Sequence, residues 1–257
     1  MNMNTQTGPL IEDGFQRLES AFSAEEISRF RSTLDAYIAG AGVETGIGFE
    51  DIRGESKAFA IDQLFNKGGN EFLSLLTHPV IAGLIASAVG GDFLISQEFV
   101  VIKNRHSPNE VGWHQDIVTD SALSGYMIGI YLDDADANEG CLRIIPGSHV
   151  SGEHICELQK KECIAVPMKA GDVLIHDLKL AHSSGVLTHH PIRRVVYVEV
   201  LPMELVTTAG LYNAAFVAAR SRLPELAGRR ETECVKEQIT ELYRVTAPMK
   251  PANYCFP

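Results

Sequence analysis

Apolar positions recur at helical spacing near the start of the chain and then switch to short, strand-like runs from about residue 93. In "SAEEISRFRSTLDAYIAG", Ile27, Phe30, Leu34 and Ile38 fall on one helical face. Ser23 and Glu26 stand at capping-box spacing before that face, and Gly40 can end the helix. A second helix is predicted after Pro79, through "VIAGLIASAVGG". Beyond it come "FLISQEFVVIK", "YMIGIYLDD", "CLRIIPGSH", "CIAVPMK", "DVLIHD" and "RRVVYVEVLP", all rich in Ile, Val, Leu and aromatics. The turn signals "NEG", "PGS", "AGD" and "SSG" separate them. Many short strands at this spacing predict a sandwich or closed barrel rather than βαβ units. The stretch at about 209–244 returns to a helical pattern. There is no repeat, linker or low-complexity tract, so residues 1–257 are expected to form a single domain, with residues 1–9 polar and loose.

Composition narrows the function classes. Of 257 residues, 45% are hydrophobic and 21% charged, enough apolar content for a sizeable core. A net charge of −11 argues against a nucleic-acid partner, which needs a basic footprint. No apolar run reaches the roughly 18 residues needed to span a bilayer, and the opening residues are not expected to act as a secretory leader. The five cysteines form no CxxC pair and are expected as reduced thiols in a cytoplasmic protein. Oligomeric state is not readable from the sequence.

The candidate chemistry begins at "GWHQDIV". In a strand, His114 and Asp116 share one face, because the side-chain period is two. They are either two polar residues near a strand end or two metal ligands. His182, in "LIHDLKLAHSSGV", is the candidate third ligand, and His176 has the same parity and is its main rival. Two histidines and one carboxylate with open positions are the ligand set of non-haem Fe(II) oxygenases. Downstream, "HHPIRRVVYV" offers Arg193 and Arg194, either of which could grip an anionic chelator through parallel hydrogen bonds.

Other signals carry less. "GAGVETGIG" is not GxGxxG and reads as a flexible loop over the site. "HVSGEH" is one residue too long for the HxxEH zinc motif. His149 reads as structural, His189 and His190 as solvated loop residues, and "RRETE" as a solvated helix face.

In order, "WHQD", "NEGCLRIIPGSH", "GDVLIHDLKLAHSSG" and "RR" resemble the phytanoyl-CoA dioxygenase family of Fe(II)/2-oxoglutarate oxygenases, and "GFQRLESAFSAEEI" resembles that family's opening strand and helix. The resemblance implies a mainly β fold, a double-stranded β-helix (jelly-roll, cupin-like) core with flanking α-helices. It implies Fe(II) on His114, Asp116 and His182, with 2-oxoglutarate and O2 as co-substrates. Arg193, eleven residues after His182, is then the favoured anchor for the far carboxylate of 2-oxoglutarate, with Arg194 its rival. Lys103 and Tyr131 resemble family positions close to the co-substrate, and Gln97 and Ser184 are further candidates for hydrogen bonds to it. The implied activity is hydroxylation, or another oxidation, of a C–H bond in a small-molecule substrate, as in natural-product biosynthesis, with release of succinate and CO2. Two alternatives stand beside it: a cupin-like metal-dependent isomerase or hydrolase without 2-oxoglutarate, and a non-catalytic jelly-roll binding protein. Segments near 40–70, 119–126 and 209–222 are expected to set substrate specificity.

Overall fold

Two antiparallel sheets face each other in a computed structural model that describes residues 8–40, 46–67, 69–108, 110–229, 232–246 and 253–255. The larger sheet runs β1 (Phe15–Leu18), β9 (Val173–Asp177), β6 (Tyr126–Tyr131), β11 (Ile192–Pro202), β4 (Phe93–Asn104), β3 (Glu55–Asp62), β2 (Ile47–Ile52). The smaller runs β12 (Asn253–Tyr254), β5 (Val111–Gln115), β10 (His182–Ser184), β7 (Leu142–Ile144), β8 (Ile164–Val166). Apart from β2–β3, β3–β4 and β7–β8, neighbouring strands are distant in sequence, as in a jelly roll, and helices cover the outer face of the larger sheet.

That covering explains why β4, β6 and β11 read as nearly continuous apolar runs. Their two faces pack into different cores. Val100 and Ile102 of β4, Ile128 and Ile130 of β6, and Val196 and Val198 of β11 join one core with Ile27, Phe30 and Leu34 of the helix Ala24–Gly40. Met127 and Tyr131 of β6 and Val195 and Tyr197 of β11 face the other way, into a second core with Leu142 and Ile144 of the smaller sheet. The helix Ala24–Gly40 forms where its apolar spacing predicts. Its capping box closes: Ser23 N donates to Glu26 Oε2 at 2.8 Å, and Glu26 N to Ser23 Oγ at 3.3 Å. The helix Pro79–Val89 also forms, and Gly90 ends it at φ 70°, where a side chain would be strained. The tail folds as helices Ala214–Arg220, Leu223–Ala227 and Glu233–Tyr243.

Three expectations change. Residues 8–9 are not loose but begin the short helix Gly8–Asp13. The loop expected at "GAGVETGIG" gives way to strand at Ile47 and Gly48, the first of residues 47–62. They form the β2–β3 hairpin, and Arg53 (φ 57°) and Gly54 (φ 84°) provide the two positive-φ positions of its tight turn. The cysteines are not all thiols: Cys156 and Cys255 form a disulfide across 99 residues of sequence, while Cys141, Cys163 and Cys234 are free. Residues 41–45 of "GAGVETGIG", and Arg230 and Glu231 of "RRETE", lie outside the described residues. Among the described residues, no single helix is long and apolar enough to cross a membrane.

Candidate metal and co-substrate site

His114 and His182 sit opposite each other in register on the paired strands β5 and β10. Asp116 follows one residue after β5 ends. Its backbone N–H donates to Leu178 O at 2.8 Å, which holds the turn that aims its carboxylate at both rings. Asp116 Oδ1 lies 3.5 Å from His114 Nε2, and Asp116 Oδ2 lies 3.9 Å from His182 Nε2. Among the described residues these three form the group whose candidate ligand atoms all lie within 4.8 Å of one another.

The tautomers suit a cation. His114 Nδ1 is 2.9 Å from Gly112 O, and His182 Nδ1 is 2.9 Å from Leu180 O. A carbonyl can only accept, so each Nδ1 carries the proton and each Nε2 presents a lone pair. Asp116 Oδ2 is buried and has no hydrogen-bond partner. Burial opposes the charge on Asp116, but His182, His114 and His176 hold its carboxyl well below the usual carboxylate range. Burial, reinforced by His114, pushes His182 down to about 3. An anionic oxygen and two imidazole nitrogens therefore converge on one point, and this donor set fits Fe(II).

His176, on β9 of the opposite sheet, lines the same cavity. Its ring lies 4.7 Å from that of His182, and its Nδ1 is 3.1 Å from Asp177 O. It is not part of the converging group.

The two arginines part company. Arg193 is 1% exposed and lines the cavity between the sheets. Its Nη1 donates to Gly140 O at 2.8 Å and its Nη2 to Tyr197 Oη at 3.2 Å. Its Nε has no partner, and among the described residues no carboxylate pairs with it. Gly140 sits at φ 68°, which aims that carbonyl, and an added Cβ would crowd Leu187 and Lys103. Arg194 points the other way, towards the helices, and is fully engaged by Asp133 (Nε–Oδ2 2.8 Å) and Asp35 (Nη1–Oδ1 2.9 Å).

Lys103 pairs in register with Arg193 across β4 and β11, so two buried cations lie side by side. Like charges in such a pair repel unless an anion joins them. Burial, then Arg193, lowers the Lys103 ammonium to about 8. Its Nζ donates to Ser184 O at 3.2 Å. Ser184 lines the cavity. Tyr131 is fully buried, with the Arg193 guanidinium 5.5 Å above its ring centroid, so it supports the arginine from behind. Gln97 is exposed and is not among the cavity-lining residues. It stands beside a register break in β4, where Glu199 pairs with Gln97 but Val200 pairs with Ile95.

Phe99, Val101, Val111, Met127, Leu142 and Tyr197 complete the walls of a cavity of about 90 Å³. The sequence reading did not single these out. Strand parity with Lys103 and Arg193 marks Phe99, Val101 and Tyr197, and no local motif marks the rest. His149 is buried and bonds Ile11 O at 3.1 Å, a structural role. His189 and His190 lie in a loop, His189 exposed as expected, and their rings hydrogen-bond Glu139 and Asp136.

Comparison with known proteins fits this geometry. Residues 10–195 match the family described as phytanoyl-CoA dioxygenase (PhyH). An ectoine dioxygenase of Stutzerimonas stutzeri (strain A1501) is 28% identical over 148 residues, 53% of this chain and 47% of that protein. A probable alpha-ketoglutarate-dependent hypophosphite dioxygenase of Stutzerimonas stutzeri is 25% identical over 214 residues, 72% of this chain and 73% of that protein. The crystal structure of AviO1 from Streptomyces viridochromogenes Tue57 superposes with a TM-score of 0.66 at 25% identity, covering 75% of this chain and 91% of that one. The chain thus spans about half the length of the first of these relatives and most of the other two. It belongs to the phytanoyl-CoA dioxygenase family of Fe(II)/2-oxoglutarate-dependent oxygenases.

Proposed function

We propose that the chain, as one oxygenase domain, is a dioxygenase that oxidises a C–H bond of a small molecule, with Fe(II) on His114, Asp116 and His182 and 2-oxoglutarate anchored by Arg193. One observation carries the reading. Three ligand atoms converge within 4.8 Å of one another, and the same cavity holds a buried guanidinium with no carboxylate partner. A dicarboxylate satisfies both, chelating the metal at one end and meeting Arg193 at the other. The bound metal, with 2-oxoglutarate and O2, supplies the oxidising power, and succinate and CO2 leave.

The chain's own residues bind, orient and exclude water. Arg193 offers its free Nε–H to the far carboxylate, Lys103 adds a second positive charge, and Ser184 lies within the same wall. Tyr131 and Gly140 O hold the guanidinium in place. Gly112 O and Leu180 O fix the histidine rings. Phe99, Val101, Met127 and Leu142 keep the space apolar, which strengthens each electrostatic contact made there. The cavity is open on one side, so co-substrate and substrate enter at its mouth. The relatives named for ectoine and hypophosphite support a small-molecule substrate.

The test is spectroscopic. Fe(II) and then 2-oxoglutarate are added to the purified protein without oxygen, with His114→Ala in parallel. A weak visible charge-transfer band that needs both additions and is absent in the variant is expected. Metal binding without such a band would favour a cupin-like enzyme that does not use 2-oxoglutarate.

A further inference from the structure

The matched family region ends at residue 195, yet one of the closest neighbours of the site comes from the far end of the chain. β12 adds to the open edge of β5, with Asn253 opposite Gln115 and Tyr254 opposite His114. Directly paired residues point to the same face of a sheet, so Tyr254 lies on the cavity side, next to His114. The two rings are stacked, with centroids 5.0 Å apart and planes 8° apart. His182 packs against the same imidazole at 4.1 Å. Tyr254 remains 45% exposed, so it stands between His114 and the surroundings.

Several bonds hold this segment to its neighbours, among them Gln159 Nε2 to Cys255 Sγ at 3.2 Å. Cys255 N donates to Trp113 O at 3.4 Å, and Asn253 Nδ2 to Gln115 Oε1 at 3.2 Å. A two-residue strand is marginal without a further tether. The Cys156–Cys255 disulfide is that tether. It ties the strand to the short helix Ile155–Leu158, which packs against β5 and β12 beside Trp113.

We propose that the C-terminal strand is a working part of the active site: Tyr254 is a positioning residue that orients and shields His114, and the Cys156–Cys255 disulfide holds it there. This rests on His114 being a metal ligand. A dithiol opens the clasp by exchange. The S–S bond breaks, each cysteine sulfur gains one electron and one proton, and the dithiol is oxidised to its own cyclic disulfide. The edge of β5 then loses its partner strand, and one face of the His114 ring opens to water.

The test compares wild type, with and without dithiothreitol, with Tyr254→Ala, Tyr254→Phe and Cys255→Ser. Thiol counts in denaturant, three rising to five, confirm that the bond has opened. Amide exchange at residues 111–115 reports the strand, and release of Fe(II) to a chelator under anaerobic conditions reports the ligand. Dithiothreitol should speed both in wild type. Cys255→Ser should match reduced wild type and ignore dithiothreitol. Tyr254→Ala should release Fe(II) about tenfold faster, in line with removal of a group that supports a ligand, while Tyr254→Phe, which keeps the stacked ring, stays within about twofold of wild type. Wild-type release from Tyr254→Ala, or unchanged exchange after the bond is opened, overturns the proposal. If wild type holds Fe(II) but gives no band with 2-oxoglutarate, the proposed activity falls while the release comparison still decides the role of Tyr254.

Discussion

Arg193 and Arg194 are neighbours in the chain, both buried, and opposite in kind. Arg194 faces the helices and meets two carboxylates, Asp133 and Asp35. Its charge is spent on joining the helix Ala24–Gly40 to the larger sheet. Arg193 faces the cavity, donates to a carbonyl and a phenol over the ring of Tyr131, and shares its surroundings with Lys103. The same division runs through β4, where Glu98 on the helix side pairs with Arg220 at 3.2 Å beneath the ring of Tyr243. On the outer face of this strand pair Arg194 and Glu98 meet opposite charges within the fold, and on the inner face Arg193 and Lys103 meet no carboxylate among the described residues. A leftover buried cation is costly, and it persists where a ligand completes it.

The largest effect is therefore expected at Arg193. Arg193→Met should weaken anaerobic 2-oxoglutarate binding at least about 100-fold, the result of ~3 kcal/mol for losing one partner of a buried charged pair. The ligand-free protein should lose little stability, because the removed charge met no carboxylate among the described residues. Calorimetric titration and thermal unfolding read both quantities. Arg220→Met should do the reverse. It removes the cation from buried Glu98, which keeps the Tyr243 hydroxyl as a donor, at a cost of about 3 kcal/mol, or roughly 10 °C in Tm for a chain of this size. Its affinity for 2-oxoglutarate should stay within about twofold of wild type. A fall in Tm for Arg193→Met like that for Arg220→Met would erase the distinction between a binding charge and a structural one.

This division also marks where the sequence stops being informative. Apolar spacing and a capping box were enough for the helix Ala24–Gly40, and short Val- and Ile-rich runs for the strands. His114, Asp116 and His182 were legible because alternation and register bring donors together. The choice between Arg193 and Arg194 was not, since both faces of β11 are buried and alternation no longer separates inside from outside. Family spacing favoured Arg193, and it is the one that lines the cavity. The β2–β3 hairpin was hidden because its turn is Arg-Gly rather than the usual Asn-Gly or Asp-Gly. Gln97 was misleading because the register break in β4 lies beside it. The Cys156–Cys255 bond and the Tyr254–His114 stack depend on residues 99 and 140 positions apart, and only the folded chain brings them together.

The smallest expected effect concerns Lys103. Burial and then Arg193 lower its ammonium to about 8 from an ordinary 10.5. Below pH 8 the lysine is charged in both the folded and the unfolded chain, and the folded state bears the full penalty. Between about pH 8 and 10.5 the unfolded chain holds the proton and the folded chain does not, so this group makes stability rise with pH. A bound dicarboxylate favours the ammonium, so binding takes up a proton above pH 8. Affinity for 2-oxoglutarate should therefore decline as pH rises from 8 to 9. Lys103→Met should remove that dependence and weaken binding about tenfold at pH 7, from the ~1.5 kcal/mol of a charge-assisted hydrogen bond. The anaerobic dissociation constant across this range, measured for both proteins, separates two arrangements. A slope in wild type that vanishes in the variant means that both inner-face cations meet the co-substrate. The same slope in both proteins means that Arg193 meets it alone, and that Lys103 is held in the wall by Ser184 O.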